Sequence, residues 1–178
     1  ERIAVSFPSL RSETLTPELI KEIKRVRKTG FTIAPEAGTQ RLREIINKGI
    51  TERQILETVR NVFDAGWNVI KLYFMIGLPC EREEDLEGIV DLSRRVRSIA
   101  RMGGKRRNVN VSVSTFVPKS HTPFQWEPQI GIEEMRGKQE FLKRAIRRLD
   151  LTFKWQRIWM SYLEGIFARG DRRLGSVI

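Results

Sequence analysis

The chain has 178 residues, 40% of them hydrophobic, and a formal net charge of +11 with a pI near 10.4. This size favours one domain, and the sequence has neither an apolar run of about 18 residues nor the pattern of a signal peptide. Its single cysteine excludes an internal disulfide and any metal cluster built from several of its own thiolates. We therefore expect a cytoplasmic protein without a membrane segment.

Short apolar segments alternate along the chain with amphipathic ones. The segments typical of buried strands are residues 3–7, 31–35, 69–76, 109–117 and, with a weaker pattern, 151–155. The predicted helices are one that begins at Thr16 and three that cover residues 51–65, 83–101 and 132–149. In the second helix Thr51 is the predicted cap, and Gly66 ends the helix. This alternation predicts an α/β fold of parallel β/α units with right-handed crossovers.

Each predicted strand has one apolar face and one that is polar or small. The second set comprises Ala4, Ser6, Thr32, Ala34, Glu36, Lys71, Tyr73, Met75, Asn110, Ser112 and Ser114. In a parallel barrel the outer face packs on helices and the inner face lines the axis, so this pattern predicts a lumen that holds a polar ligand. The alternative is an open sheet whose polar face meets solvent.

The number of β/α units predicts only part of a barrel. An eight-unit barrel takes about 250 residues, and this chain has four or five units and begins inside a strand. We therefore expect a piece of a longer protein. Its first strand would be an exposed edge that allows dimerisation.

The strand at residues 69–76 ends in a Gly77-Leu78-Pro79 turn, and acidic residues follow at once. Such a turn sets the carboxyl end of a strand beside a helix amino terminus, where α/β proteins bind ligands. The sequence therefore predicts a site near Gly77. For Cys80 in the same turn, a turn or packing role is favoured over a redox thiol.

Three segments carry a family resemblance: IAPEAGTQRL at residues 33–42, FMIGLP at 74–79 and FVPKSHTPFQW at 116–126. Together and in this order they resemble the radical S-adenosylmethionine (radical SAM) enzymes. The resemblance covers nearly the whole chain. It is to the carboxyl-terminal part of the radical domain in an Fe-S oxidoreductase-like subgroup, often preceded by a cobalamin-binding-like domain. It implies that residues 1–178 are a single domain, part of a TIM-like (β/α)6 partial barrel from its third strand onward.

The resemblance also implies an activity for the full-length parent. Such enzymes cleave S-adenosylmethionine reductively at a [4Fe-4S] cluster, and the resulting 5′-deoxyadenosyl radical abstracts hydrogen from a substrate. Three cysteines in a CxxxCxxC loop hold that cluster, and this chain has no such loop. We therefore expect the cluster to be ligated outside this chain, and the chain to be inactive alone. The substrate and the reaction outcome stay open.

The resemblance implies that six residues bind S-adenosylmethionine: Glu36, Met75, Ile76, Gly77, Ser112 and Ser114. Glu36 would accept hydrogen bonds from the ribose or amino group, or else cap the following helix. The strand that ends at Gly77 would pack on the adenine. The two serines would contact the methionine moiety or the substrate, or be satisfied by neighbours. A buried Lys71 would need an acidic partner, for which Glu36 is the candidate.

The sequence allows alternative roles for several residues in the loop after the strand at residues 109–117. His121 either fixes a turn in this Pro-rich loop or has a functional role. Phe124 and Trp126 beside Lys119 either stack on nucleobases or fasten the loop to the barrel.

Partners and competing functions are also open. The basic charge makes RNA or a ribosomal component a candidate partner, unless the excess only solubilises the surface. One alternative function is a non-catalytic RNA-binding module, with its basic residues gathered on one face. Another is a barrel enzyme with a phosphate-bearing substrate, which would need a glycine-rich loop near the last strands. Gly103-Gly104 precedes a strand instead of a helix, which disfavours the second alternative.

Overall fold

The computed structural model describes residues 30–102 and 107–177. In these residues four parallel strands form one sheet in chain order: β1 (Phe31–Glu36), β2 (Val69–Ile76), β3 (Asn108–Thr115) and β4 (Thr152–Trp155). The helices are α1 (Gln40–Ile45), α2 (Glu52–Asp64), α3 (Glu83–Met102), α4 (Ile132–Arg147), α5 (Ile158–Arg169) and a short 3₁₀ helix (Arg172–Ser176). The α/β fold with a parallel sheet is confirmed. The predicted strand at 3–7 and the helix that begins at Thr16 lie outside the described residues.

Helix α2 begins and ends where its sequence predicts. The hydroxyl of Thr51 accepts a hydrogen bond from the Gln54 N–H at 3.2 Å, and the Gln54 side chain accepts one from the Thr51 N–H at 2.8 Å. This reciprocal capping box satisfies two amino-terminal donors of the helix. At the other end Gly66 takes a left-handed φ of 92°, which ends the helix at little steric cost.

The apolar face of the sheet carries the main core. Helices α2, α3 and α4 cover the alternate apolar residues of the strands, and Ile70, Leu72 and Val111 are fully buried there. At the start of β1 the ring of Phe31 meets Trp67 edge-on at 6.0 Å. The predicted outer faces of β1, β2 and β3 are therefore the helix-packed faces, as their alternation indicates.

Two boundaries differ by two residues from the predicted ones, and the other boundaries of the predicted elements in the described part of the chain differ by at most one. Strand β3 ends at Thr115 instead of residue 117, although Phe116 and Val117 stay buried beyond it. Helix α4 ends at Arg147 instead of residue 149, shortly before Asp150 adopts a left-handed φ of 52°. Both differences concern the last residues of an element, where pairing and burial cease to coincide.

Among the helices in the described part of the chain, none has both the length and the apolar content needed to cross a lipid bilayer.

Candidate functional site at the carboxyl edge of the sheet

The polar face of the sheet carries rows of half-buried side chains. Lys71 of β2 lies between Thr32 of β1 and Asn110 of β3 in the pairing register. Tyr73, two residues further along β2, lies opposite Ser112 and is 43% exposed. Hydroxyl, amide and ammonium groups therefore share one accessible surface, which suits a polar ligand.

The carboxyl end of this face is more apolar. A small cluster separate from the main core lies there, formed by Ala37, Leu42, Leu78 and Phe116. Met75 packs against this cluster and lies opposite Ser114 in the register. An apolar platform next to hydroxyl groups fits a ligand that has both a flat ring and polar substituents. Purine nucleosides are ligands of this kind.

The predicted binding residues of β2 point to opposite faces. Met75 is half-buried on the polar face, whereas Ile76 is fully buried on the helix-packed face. The carbonyl of Ile76 also accepts a hydrogen bond from the Phe116 N–H at 2.8 Å. Neither the side chain nor this carbonyl of Ile76 is therefore directed at a ligand on the polar face, while Met75, Ser112 and Ser114 share that face.

Glu36 ends β1 in a conformation that L-residues rarely adopt, with a φ of 66°. Its carboxylate pairs with Lys48 at 3.3 Å, so the predicted pair with Lys71 is wrong. Glu36 does not cap the next helix either, because Thr39 does so by accepting a hydrogen bond from the Leu42 N–H at 3.2 Å. A left-handed glutamate at a strand end is a strained position of the kind found at binding sites.

In the turn after β2, the backbone at Gly77 binds the side-chain carboxylate of Glu81, four residues later. Gly77 has a φ of 73°, and its N–H donates to both carboxylate oxygens of Glu81 at 3.0 Å. A Cβ at Gly77 would lie 2.6 Å from Cδ1 of Ile130, so a side chain at this position would displace that of Ile130. The space beside the Cα atom of Gly77 is therefore occupied by Ile130 of the same chain.

Lys138 of α4 holds the buried Glu81 in place. Its ammonium group lies 2.7 Å from Glu81, whose side chain is 2% exposed, and 3.2 Å from Glu134. Burial opposes the charge of Lys138, but the hydrogen bonds and charges of the two glutamates outweigh it and raise its pKa. Lys138, Glu81 and the Gly77 N–H thus form one chain of hydrogen bonds that fixes the turn to α4.

A second buried carboxylate joins the turn after β1 to helix α3. Asp85 is fully buried and accepts hydrogen bonds from the Thr39 hydroxyl, the Arg41 guanidinium and the Arg82 N–H, the last at 2.7 Å. Arg41 also donates to the carbonyl of Cys80 at 3.1 Å. The two turns at the carboxyl edge therefore share one polar network.

Glycine packing holds the same two elements together. A Cβ on Gly38 would overlap the backbone of Asp85, and a Cβ on Gly88 would lie 2.9 Å from the Gly38 carbonyl carbon. Behind this turn the buried Arg43 donates to the Ala37 carbonyl at 2.9 Å, and burial lowers its pKa. The backbone around Glu36 is thus held from both sides.

The sequence reasoning missed these supporting residues. Acidic residues before or within the first turn of a helix are normal partners of its dipole, so Glu81 and Asp85 carry no distinct signal. Gly38 lies inside the IAPEAGTQRL segment, which is the one hint that its turn is special.

Cys80 lies in the turn with a φ of 62° and is exposed. A turn role fits this position, and the packing role predicted as its alternative does not, because the side chain is at the surface. No group of three or more His, Cys, Asp or Glu side chains in the described residues could hold a metal ion. Together with the single cysteine, this means that the described residues do not fit a thiolate-bound iron-sulfur cluster.

The loop after β3 is fastened by one of its two aromatic residues. Phe124 meets Phe116 edge-on at 6.0 Å, whereas Trp126 is 84% exposed. His121 is exposed at a φ of 60°, and its N–H donates to the Gln125 side chain at 3.3 Å. His121 therefore sits in a turn, and Phe124 holds the loop to the edge of the site.

Helix α5 turns its small residues inwards and its large apolar residues outwards. Ser161 and Gly165 are its buried residues, and Gln129 packs on them by donating to the Ser161 carbonyl at 2.8 Å. Trp159 and Phe167 are among six large apolar residues that the helix exposes.

Comparison with known proteins identifies the family to which this chain belongs. Residues 1–93 match the family model of the radical SAM superfamily. An uncharacterized protein of Methanocaldococcus jannaschii is 34% identical over 176 residues, which are 99% of this chain and 37% of that protein.

Two further relatives have named activities. The ribosomal protein uS12 methylthiotransferase RimO of Caldanaerobacter subterraneus is 26% identical, over 88% of this chain and 34% of that protein. The tRNA-2-methylthio-N(6)-dimethylallyladenosine synthase of Desulforamulus reducens is 31% identical, over 52% of this chain and 21% of that protein. The chain thus spans little more than a third, at most, of the length of the curated relatives that it matches.

Proposed function

Because this chain belongs to the radical SAM superfamily, we propose that it forms the S-adenosylmethionine-binding wall of a longer enzyme. The observation that carries the proposal is the carboxyl end of the polar face. There Met75 and its apolar cluster lie beside Ser112 and Ser114, and the strained Glu36 ends the neighbouring strand. This combination matches an adenine ring, a ribose and a charged amino acid group in one ligand.

The [4Fe-4S] cluster would be held by cysteines outside this chain, since Cys80 alone cannot ligate it. When bound, the cluster supplies the electron that cleaves S-adenosylmethionine. The described residues would bind and orient the cofactor. Glu36 would accept hydrogen bonds from hydroxyl or ammonium donors, and the serine hydroxyls would bind the polar end. The four parallel strands would be part of a (β/α)6 barrel that other segments complete.

The substrate we propose is RNA or a ribosomal component. Two relatives are named for methylthio chemistry on a ribosomal protein and on a tRNA base. The net charge of +11 favours a polyanionic partner. Exposed aromatic residues are also available: Trp155 is 44% exposed, and the Lys143 ammonium lies 5.2 Å from its ring centroid. Stacking aromatics beside cations are what single-stranded RNA contacts.

Anaerobic cleavage of S-adenosylmethionine tests the proposal. The longest gene product that carries this chain would be reconstituted with iron and sulfide, reduced with dithionite and assayed for 5′-deoxyadenosine, with the 178-residue chain as control. We expect product from the long protein and none from the chain. No product from a protein with a spectroscopically intact cluster would overturn the proposal.

RNA binding is tested separately by titrating the chain with a labelled single-stranded RNA at several salt concentrations. We expect the affinity to fall steeply as salt rises, because phosphate contacts release counterions. Absent or salt-independent binding would remove RNA as the proposed partner and leave the cofactor proposal untouched.

A further inference from the structure

A groove lies between helices α3 and α4, on the outside of the sheet and near the amino ends of both helices. Its cavity volume is about 480 Å³. Helix α3 contributes Glu83, Leu86 and Glu87, which its 3.6-residue period places along one line. The facing wall from α4 includes Glu134 and Phe141. The floor is therefore apolar, and the rim carries carboxylates.

Gly137 opens the α4 side of this groove. It lies in the middle of the helix, where glycine is the least favourable residue after proline. A Cβ at Gly137 would meet no atom within 4 Å, so packing inside the protein does not require a glycine there. Phe141, one turn further on, is 36% exposed beside the gap. The missing side chain leaves the room that a partner's side chain needs.

The charge of the groove is opposite to that of the chain. Three glutamates line it in a protein with a net charge of +11. The helix dipole accounts for Glu83 and Glu134 in the first turns, but it does not reach Glu87 in the second turn of α3. The ammonium group of Lys138, which also lines the groove, is bound by Glu81 and Glu134. The rim therefore favours a cation.

We infer that this groove binds a basic peptide segment of a partner protein, one with arginine or lysine on either side of an apolar residue. Glu83 and Glu87 are about 6 Å apart along the helix axis. Alternate side chains of an extended peptide are about 6.6 Å apart and point to the same side. Two basic side chains can therefore face the α3 rim while the residue between them faces Phe141 and the gap at Gly137.

This site is independent of the radical chemistry proposed above, because it uses no residue of the polar face and needs no cluster. Nucleic acid is disfavoured as the occupant, because its phosphates would meet three carboxylates. A small amine would use the rim but not the apolar floor.

Nuclear magnetic resonance titration of the ¹⁵N-labelled 178-residue chain tests the inference. The probe is the acetylated and amidated peptide Arg-Phe-Arg-Leu, and the control probe is Glu-Phe-Glu-Leu. We expect the first peptide to shift the amides of Glu83, Glu87, Gly137 and Phe141, and the second to leave them unchanged. Arginine amide alone should bind more weakly than the peptide.

Two variants make the test specific. Gly137→Leu should fill the groove and abolish these shifts without loss of folding, because its side chain enters open space. Gly175→Leu, also at an open glycine but outside the groove, should bind the peptide like the original chain. The double variant Glu83→Gln and Glu87→Gln should weaken binding about fivefold, because two exposed ion pairs are lost.

Three results would overturn the inference. They are equal binding of both peptides, unchanged binding by folded Gly137→Leu, and equal binding of arginine amide and peptide. Shifts of the same amides by an RNA oligonucleotide of matched concentration would instead identify a nucleic-acid surface and also contradict it.

Discussion

The two faces of the sheet differ in what their side chains do. On one face Ile70, Leu72 and Phe74 are buried beneath helices α2, α3 and α4. On the other, the intervening Lys71 and Tyr73 are only partly buried. Successive residues of one strand thus have opposite surroundings, since the apolar set packs in the core and supplies stability, whereas the polar set faces the accessible surface that we propose binds the cofactor. At the carboxyl edge of the sheet, the ion pairs of the buried carboxylates Asp85 and Glu81 connect the turns after β1 and β2 to helices α3 and α4, which pack on the apolar face.

The largest expected effect on stability comes from breaking the ion pair between Lys138 and Glu81 at this edge. Lys138→Met leaves the Glu81 carboxylate, 2% exposed, without its cation. We expect a loss of about 3–5 kcal/mol in the free energy of unfolding, measured with urea. Lys143→Met is the matched control, because Lys143 is 47% exposed in a pair within its own helix, and it should change stability by less than about 0.5 kcal/mol. Equal effects of the two substitutions would show that the buried pair does not hold the turn.

Neighbouring residues of β2 test the contrast between the faces directly. Leu72→Ala removes a fully buried side chain from the core and should cost about 2–5 kcal/mol. Tyr73→Ala, one residue later on the polar face, removes a side chain that is 43% exposed and should cost clearly less. Urea unfolding of both variants measures the difference. Similar losses would mean that both faces are structural.

A pH titration tests the same ion pair by removing the charge of Lys138 while keeping its side chain in place. The pKa of Lys138 is raised above its ordinary value of 10.5 because its hydrogen bonds and charge pairs outweigh burial. Its contribution to stability is therefore complete below about pH 10.5 and is lost as the pH rises through the higher folded-state pKa. We expect the unfolding free energy to fall more steeply above this pH in the original chain than in Lys138→Arg, which does not titrate there. Equal slopes would contradict the assignment.

The smallest effect on stability is expected from the polar face itself. Ser112→Ala removes a half-buried hydroxyl on the polar face, opposite Tyr73 in the register, so the unfolding free energy should change by less than about 0.5 kcal/mol. Thermal unfolding checks this. A large loss would show that the hydroxyl is a structural group and weaken its assignment to ligand binding.

Much of the fold follows from local pattern, because alternation and helical periodicity are properties of neighbouring residues. The strands at residues 69–76 and 31–35 and the helix capped by Thr51 could be predicted for that reason. The polar face could be predicted too, since a strand with one buried face fixes the orientation of every side chain.

The supporting contacts of the site could not be predicted in this way. Lys138 lies 57 residues after Glu81, and nothing in the pattern pairs them. The predicted partner of Glu36 was Lys71, but at the left-handed end of β1 its carboxylate pairs with Lys48. Gly38 and Gly88 meet only because two turns pack together. Such long-range pairings depend on the tertiary arrangement and not on any local signal.

The most direct test of the central claim compares adjacent residues of β3 on opposite faces. Ser114→Val and Thr115→Val would be made in the reconstituted long protein, and the affinity for S-adenosylmethionine would be measured by equilibrium dialysis. Thr115 is 4% exposed on the helix-packed face, and its hydroxyl has no partner within the described residues, so its substitution should leave both affinity and stability unchanged. Ser114→Val should weaken binding about tenfold, the effect of about 1.4 kcal/mol. Loss of affinity in Thr115→Val with none in Ser114→Val would place the site on the wrong face and contradict the account.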